Sequence, residues 1–559
     1  MPGTRLIYVF AIFLFTLGTS LAGQVSHGGY PLMNTSDFNA SQVMYLLEPE
    51  DQLMVSGLKS AKYNSLKKAI HYATERPVDL SPDVNGQWVE QDGMHVWRAH
   101  LVSPEAYSLG VLFSEYSLNE NACLFLYDPG GKSIKGAFTH ENNKPFGTFY
   151  VGHIPGEEVI LELQVRGNQR DYGTLRVGSL SHAFLPVYAE KSIDENGLGT
   201  SQDCELDINC AEGDEWQTVK HSVCHISTTS LLCTGALINN TAYDGKPYVL
   251  TAEHCINKDF YAENSVFYFN YENSNCETLD GRKNQSISGS TLIATGDSLD
   301  FTLVRLSDRP PREYNVYYAG WDARDVTHIS TVTMHHPNAD AMKISFDLDA
   351  TNNPTSLPGD LNDYIVASNY RVLEWDIGST EGGSSGAPFF NSSKRIIGVL
   401  SGGLASCGDS IGYNAATNRV IYSLRGNTND YFSKISFAWE YYSDSKKQLK
   451  RWLDPAGTGQ LSIGGLAQMT LDTKVRLAET AALKVYPNPT RGAFMLELPS
   501  YSGKPLHVEI FDVTGKQVYA CTPLSVHPVQ VSPPELPSGI YLVRVKDGSQ
   551  LLKGRVVIE

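Results

Sequence analysis

Apolar and polar positions alternate over short runs through most of the chain. Residues 88–90, 94–101, 109–113, 123–127 and 159–165 each read as a strand, and Asp128-Pro129-Gly130-Gly131 and Pro155-Gly156 separate them as turns. The pattern of short strands returns from Thr218 to about Trp452, with Gly245-Lys246 and Asp280-Gly281 as turns. It returns again in 494–498, 507–516 and 536–545. Helical spacing is confined to about 58–73 and 445–453. These elements predict a mainly β, multi-domain protein.

Composition agrees with that reading, since 30 Tyr and 48 Gly suit strands joined by many turns. At 559 residues and roughly 150 residues per domain, three or four domains are expected. The formal net charge of -17 argues against nucleic acid as a partner. Arg5, the apolar run 6–17 and the small-residue exit Ser20-Leu21-Ala22 read as a cleaved signal peptide, residues 1–22. The run is short of the roughly 20 residues that a membrane-spanning helix needs. The nine cysteines thus belong to an exported chain, in which disulfides persist.

Residues 23–191 read as an N-terminal, β-rich, sandwich-like unit. Its one cysteine is Cys123, and it carries no catalytic constellation. Its place ahead of a chemistry-bearing segment suggests a propeptide, with an independent binding module as the alternative. Residues 192–465 hold Cys204, Cys210, Cys224, Cys233, Cys255, Cys276 and Cys407, an odd number that leaves at least one thiol over. Asp454-Pro455-Ala456-Gly457 breaks the pattern, 466–482 reads as a linker, and 483–559 as a small β-sandwich.

The chemistry centres on Gly382-Gly383-Ser384-Ser385-Gly386-Ala387-Pro388. A serine held between glycines on a tight turn exposes its hydroxyl while nearby backbone N–H groups converge, as an oxyanion requires. Ser385 is the candidate nucleophile. Tyr248-Val249-Leu250-Thr251-Ala252-Glu253-His254-Cys255 reads as an apolar strand that ends in a histidine, a rigid place for a general base, and imidazole suits that task near neutral pH. A Cys233 and Cys255 pair would staple that strand end. Asp300 stands just ahead of the apolar run 301–306, where it can be buried against an imidazole N–H. No His/Asp/Glu cluster has metal-ligand spacing, so neither a metal nor an organic cofactor is expected.

The order His254, Asp300, Ser385 is that of chymotrypsin-fold peptidases, and the segment from Cys204 to about Gly459 resembles the bacterial lysyl endopeptidases. The motifs that carry this are Cys204-Glu205-Leu206-Asp207-Ile208-Asn209-Cys210, Cys233-Thr234-Gly235-Ala236-Leu237, Leu250 to Cys255, Gly320-Trp321-Asp322, His335-His336-Pro337-Asn338, the serine loop and Trp452-Leu453-Asp454-Pro455. The resemblance implies a trypsin-fold double β-barrel that cleaves after lysine through an acyl-enzyme on Ser385. It implies His254 as base, Asp300 as its orienting acid, and an oxyanion hole of the Gly383 and Ser385 N–H groups. It also implies the disulfides Cys204 with Cys407, Cys210 with Cys276 and Cys233 with Cys255.

For the pocket it implies Asp430 as the lysine-binding acid, with Trp375, Ser379, Ser401, Gly402 and Gly403 around it. Two departures stand out. Ser401 replaces a histidine that the family stacks near a tryptophan, here Trp375. The stretch from Cys407 to Asp430 is also longer than the family's, which could displace Asp430 and makes Asp409 a rival acid. Arginine or broad trypsin-like specificity, or an inactive surface binding protein on this fold, are the alternatives. A monomer acting on protein or peptide substrates is expected. Lys191-Ser192, in the loose segment ahead of Cys204, is the expected self-processing bond.

The last unit resembles the C-terminal sorting domain of proteins exported by the type IX secretion system, on Tyr486-Pro487-Asn488-Pro489, Phe511-Asp512-Val513-Thr514-Gly515-Lys516 and Leu536-Pro537-Ser538-Gly539-Ile540-Tyr541. It implies the type IX machinery as partner, and a secreted or cell-surface product exported through periplasm and outer membrane.

Overall fold

The computed structural model describes residues 26–32, 44–46, 65–187, 201–276, 278–408, 410–414, 419–422, 426–468, 483–498, 506–512, 517–522, 528–534, 536–547 and 550–559. The signal peptide, the Lys191-Ser192 bond and Asp409 lie outside them. The chain divides into two compact units, Met1–Gln468 and Met469–Glu559.

In the first unit, two antiparallel-rich sheets face each other near the N-terminus. One runs Met44–Leu46, Met94–Val102, Glu158–Val165, Ala122–Tyr127, Ile134–Phe138, with Gln87–Gln91 beside Met94–Val102; the other runs Ala73–Leu80, Gly173–Ala183, Ser108–Leu118, Phe149–Pro155. Trp97, Leu124, Leu161, Val111, Phe113 and Val151, drawn from both sheets, fill the space between them. Residues 65–73, at the end of the stretch whose spacing suggests a helix, are not helical. Ile70–His71 and Ala73–Leu80 are strands, and Tyr72 between them is buried. The apolar residues there serve a sheet edge and a cleft, whose demands outweigh a weak helical period.

The rest of this unit is built on two larger sheets. The first orders Ser286–Ser288, Val266–Phe269, Val223–Ser227, Leu231–Ile238, Tyr248–Thr251, Phe301–Leu306, Ser290–Gly296. The second orders Leu206–Asp207, Lys343–Asp347, Thr331–His335, Pro388–Asn391, Arg395–Gly403, Gly320–Asp322, Ser462–Ile463, with Thr428–Lys434 joining Arg395–Gly403 to Asn369–Glu374. Leu250 and Leu303 from the first and Ile344 and Val399 from the second meet in one continuous core. That core fixes the sheets against each other, and so fixes the distance between groups carried on each.

The unit extends past the expected boundary. Leu466–Ala467 pairs with Tyr317–Tyr318, and the Gln468 amide donates to the Pro310 carbonyl at 2.6 Å, so 466–468 are part of the fold rather than a linker. The expected helix at 445–453 is two short turns, Ser445–Lys447 and Lys450–Leu453. In the second unit, Lys484–Tyr486, Phe494–Glu497 and Val529–Val531 form one sheet. Gln517–Cys521, His507–Phe511, Gly539–Asp547 and Gln550–Ile558 form another. Phe494, Leu496, Val508, Ile510, Val543 and Val556 make its core.

Candidate active site

His254 sits in a turn three residues beyond the strand Tyr248–Thr251, not on the strand end itself. Two devices hold the turn: its own backbone bond from Cys255 N–H to Ala252 O (3.3 Å), and the disulfide from Cys255 to Cys233 in the neighbouring strand. Asp300 ends a short 3-10 turn with φ of +48°. Asp is among the residues that tolerate this left-handed conformation. That conformation turns the carboxylate back toward His254. Its oxygens accept from the imidazole Nδ1–H (2.9 and 3.1 Å), and Oδ1 also accepts from the His254 backbone N–H (3.2 Å). With the proton held on Nδ1, Nε2 is free to accept from the Ser385 hydroxyl, 2.7 Å away. Asp300 is 1 % exposed, so its charge acts on the imidazole with little solvent screening.

Ser385 belongs to the other sheet system, ahead of the strand Pro388–Asn391. Its loop needs glycine at two positions. Gly383 (φ +91°) has no room for a Cβ, which would lie 2.6 Å from the His336 carbonyl, and at Gly386 (φ +78°) a Cβ would meet Thr251 Oγ1 at 2.2 Å. The loop is braced from behind by His335, which bonds the Ser384 hydroxyl at 2.7 Å, and by the Asn338 N–H donating to Gly382 O at 2.6 Å. His336 stacks on Tyr271 and bonds the Asp340 carbonyl. Burial holds both histidines below the usual imidazole range, His336 at about 3. Neutral rings buried this way support the loop as hydrogen-bonding spacers. Among the described residues no group of three or more His, Cys, Asp or Glu is arranged to hold a metal ion.

A segment of the chain itself lies in this site. The Lys68 carbonyl accepts from the N–H groups of Gly383 (2.6 Å) and Ser385 (3.2 Å). Its side chain enters a closed pocket, where Nζ reaches Asp430 Oδ1 (2.9 Å), the carbonyls of Thr380 (2.8 Å) and Ala405 (2.9 Å), and the Thr380 hydroxyl. Lys68 is 7 % and Asp430 0 % exposed. Taking an unpaired charge this far from water would cost several kcal/mol or more. Here each charge faces the other, and carbonyls occupy the remaining directions.

Asp430 has its own supports: Trp375 Nε1–H at 2.9 Å, the Thr380 hydroxyl at 2.5 Å and the Ala405 N–H at 3.3 Å. The long stretch after Cys407 does not displace it. Ser410–Asn414 and Arg419–Tyr422 pair as a separate ribbon, and Asp430 stays in register opposite Gly403. Of the other expected pocket residues, Trp375 touches the acid rather than the lysine. The Ser379 hydroxyl is turned to Asn427 Oδ1 (2.7 Å) and makes no bond to Lys68. Ser401 is the extra residue where the ladder shifts between Leu400 and Gly402, and its buried hydroxyl finds no partner among the described residues. Gly402 and Gly403 follow that bulge and allow close approach: a Cβ on Gly402 would lie 2.2 Å from the Leu66 carbonyl. Thr380 and the Ala405 carbonyl escape sequence reasoning, the first because it is a common polar residue beside a glycine loop, the second because a backbone group has no sequence signal.

The structure contains the disulfides Cys204–Cys407, Cys210–Cys276 and Cys233–Cys255, and Cys123, Cys224 and Cys521 are free.

Residues 198–418 match the family model "Lysyl endopeptidase, C-terminal domain", and residues 484–559 match "Secretion system C-terminal sorting domain". A lysyl endopeptidase of Pseudomonas aeruginosa is 25% identical over 381 residues, 64% of this chain and 76% of that protein. Similar solved structures include a Glu endopeptidase (15% identity, 38% of this chain and 85% of that one, TM-score 0.23) and kallikrein-related peptidase 10 (15%, 39% and 91%, TM-score 0.26). The chain is a serine endopeptidase, and its peptidase segment is similar to the lysyl endopeptidases. Its sorting domain directs export across the outer membrane to the cell surface or the extracellular space.

Proposed function

We propose that this protein hydrolyses peptide bonds on the carboxyl side of lysine, with Ser385 as nucleophile, His254 as base and then acid, Asp300 as the group that orients His254, and Asp430 as the lysine-recognising acid. The observation that carries lysine preference is the cage around an ammonium at the bottom of the pocket: one carboxylate oxygen, two carbonyls and one hydroxyl. An ammonium is a compact charge with three tetrahedrally disposed donors, and such a cage satisfies it. A planar five-donor guanidinium fits it poorly.

In this reading, attack by Ser385 Oγ on the substrate carbonyl sends its proton to His254 Nε2. The carbonyl oxygen gains charge where the Gly383 and Ser385 N–H groups point, so they bind the tetrahedral state more strongly than the ground state. His254 then protonates the leaving amine, and water hydrolyses the acyl-enzyme by the same route in reverse.

Cleavage-site profiling of a peptide library by the released enzyme tests the proposal. Cleavage after lysine is expected, and Asp430→Asn lowers kcat/KM for lysyl bonds by about 10²- to 10⁴-fold, the equivalent of roughly 3–5 kcal/mol for breaking a buried ion pair. Ser385→Ala lowers kcat by about 10⁶-fold. Equal cleavage after arginine and lysine, or a lysine preference untouched by Asp430→Asn, sinks the assignment of the pocket.

A further inference from the structure

We propose that Lys68–Ala69 is a cleavage site of the protein in its own active site, and that residues 66–71 close the cleft as a bound substrate until that bond is cut and the segment leaves. The proposal rests on the lysyl peptidase reading above and goes beyond it.

Four contacts set the register, and each is one that a substrate of this enzyme would make. The Lys68 side chain fills the pocket on Asp430, and its carbonyl lies on the two N–H groups at Ser385. On the amino side, the Gly403 N–H donates to the Leu66 carbonyl at 2.9 Å. On the carboxyl side, Ile70–His71 runs antiparallel to Leu231 and Leu232, extending the sheet that carries His254. The peptide between Lys68 and Ala69 is therefore presented to Ser385 Oγ by backbone pairing on both sides.

The stretch is anchored at both ends. The Ser65 hydroxyl and the Leu66 N–H bond the Asp360 carboxylate at 2.7 and 3.0 Å, Leu66 packs with Leu361, Tyr364 and Tyr431, and the Lys67 ammonium lies over the Tyr364 ring. Beyond His71, the buried Tyr72 hydroxyl bonds Ser227 Oγ and the Thr228 carbonyl, and its backbone N–H bonds Ser230 O. The strand Ala73–Leu80 then enters the N-terminal sandwich, which rests on the peptidase through the cluster of Leu112, Tyr150, Val266 and Tyr268 and the bond from Ser288 Oγ to Tyr150 O. Pinning both ends raises the effective concentration of the segment at the site, so another substrate must displace it.

The step balances as an ordinary hydrolysis. Ser385 Oγ bonds to the Lys68 carbonyl carbon, the C–N bond to Ala69 breaks, and the hydroxyl proton passes through His254 to the new Ala69 amine. One water then releases the Lys68 carboxylate. Because Ile70–His71 and Tyr72 hold the Ala69 end in place, the new amine departs only when the sandwich lifts off. Cutting and opening are thus separable events.

The full-length precursor, made as wild type, Ser385→Ala and Lys68→Ala, is followed by intact mass and N-terminal sequencing. Wild type is expected to yield a fragment beginning at Ala69, at a first-order rate unchanged over a tenfold range of protein concentration. Neither variant yields that fragment. Should Lys68→Ala fail to fold, the wild-type and Ser385→Ala pair decides alone. Released enzyme is assayed in parallel on a lysyl p-nitroanilide. If it cleaves that substrate while the wild-type precursor never shows an Ala69 terminus, or if the Ala69 terminus forms equally in Ser385→Ala, self-cleavage at Lys68–Ala69 is wrong and the lysyl peptidase reading stands. If it fails on the lysyl substrate, the lysyl peptidase reading is what fails.

Discussion

At the scale of the residue, the pocket acid is only as good as the groups that hold it. Asp430 is fully buried, and without substrate its charge is met by the Trp375 indole N–H, the Thr380 hydroxyl and the Ala405 N–H. The indole is the one donor contributed by a large rigid side chain, which also packs edge-on against Phe432. Trp375→Phe keeps most of that packing and removes the donor. A hydrogen bond to a charged group contributes roughly 1.5–3 kcal/mol. The variant is therefore expected to lose about 10- to 100-fold in kcat/KM for lysyl substrates, mainly through KM. Steady-state kinetics beside a melting curve check this; unchanged kinetics with a lowered melting point would make Trp375 a packing residue only. The grouping of His254, Asp300 and Ser385, which hydrogen bonds join in the structure, was legible in the sequence because each sits in a distinctive local context: a histidine after an apolar strand, an acid heading a strand, a serine among glycines. The cage around Lys68 was not, because half of it is backbone carbonyl. The directions of the Ser379 and Ser401 hydroxyls were not legible for a related reason: spacing along the chain does not say which way a hydroxyl turns beside a neighbouring amide or at a bulge.

At the scale of the element, the site depends on joining two sheets whose strands come from distant parts of the chain. The disulfide between Cys233 and Cys255 spans 22 residues and ties the strand Leu231–Ile238 to the turn of His254. That same strand lies beside Ile70–His71 on one stretch and Tyr248–Thr251 on the next. Losing a crosslink of this loop length costs about 3 kcal/mol, and at about 2–4 °C per kcal/mol the melting point of a Cys233→Ala, Cys255→Ala double variant falls by roughly 6–12 °C. Because Cys255 adjoins His254, activity at temperatures well below melting falls too. Thermal melting paired with kcat at 25 °C measures both, and full kcat in a destabilised variant would show that the turn holds without the crosslink. Strands were readable throughout from alternation. The stretch at 65–73 was misjudged because its apolar residues face a cleft and a sheet edge in turn, and neither surface has a helix's period.

At the scale of the whole molecule, the expected division into propeptide, peptidase, linker and sorting domain meets a different division of the structure. The N-terminal sandwich and the peptidase form one compact unit through Gln468, and Met469–Glu559 forms another. Sequence composition could not show this, because a docked surface such as Leu112, Tyr150, Val266 and Tyr268 looks like any other set of core residues until the partner strands are known. The second unit has its own two sheets and its own apolar core, and the bonds given above for His254, Asp300, Ser385 and Asp430 are all made within the first unit. A chain ending at Gln468 is therefore expected to fold with a melting point within about 2 °C of the full-length chain, the change expected for less than roughly 1 kcal/mol. It is also expected to cleave lysyl substrates with an unchanged kcat/KM, while failing to leave the cell. Fractionation of cells expressing each form, with activity measured in medium, envelope and cell interior, reads both halves at once. Export of the shortened chain would remove the sorting role from the last unit, and loss of its activity with the fold intact would mean that the second unit contributes to the site after all.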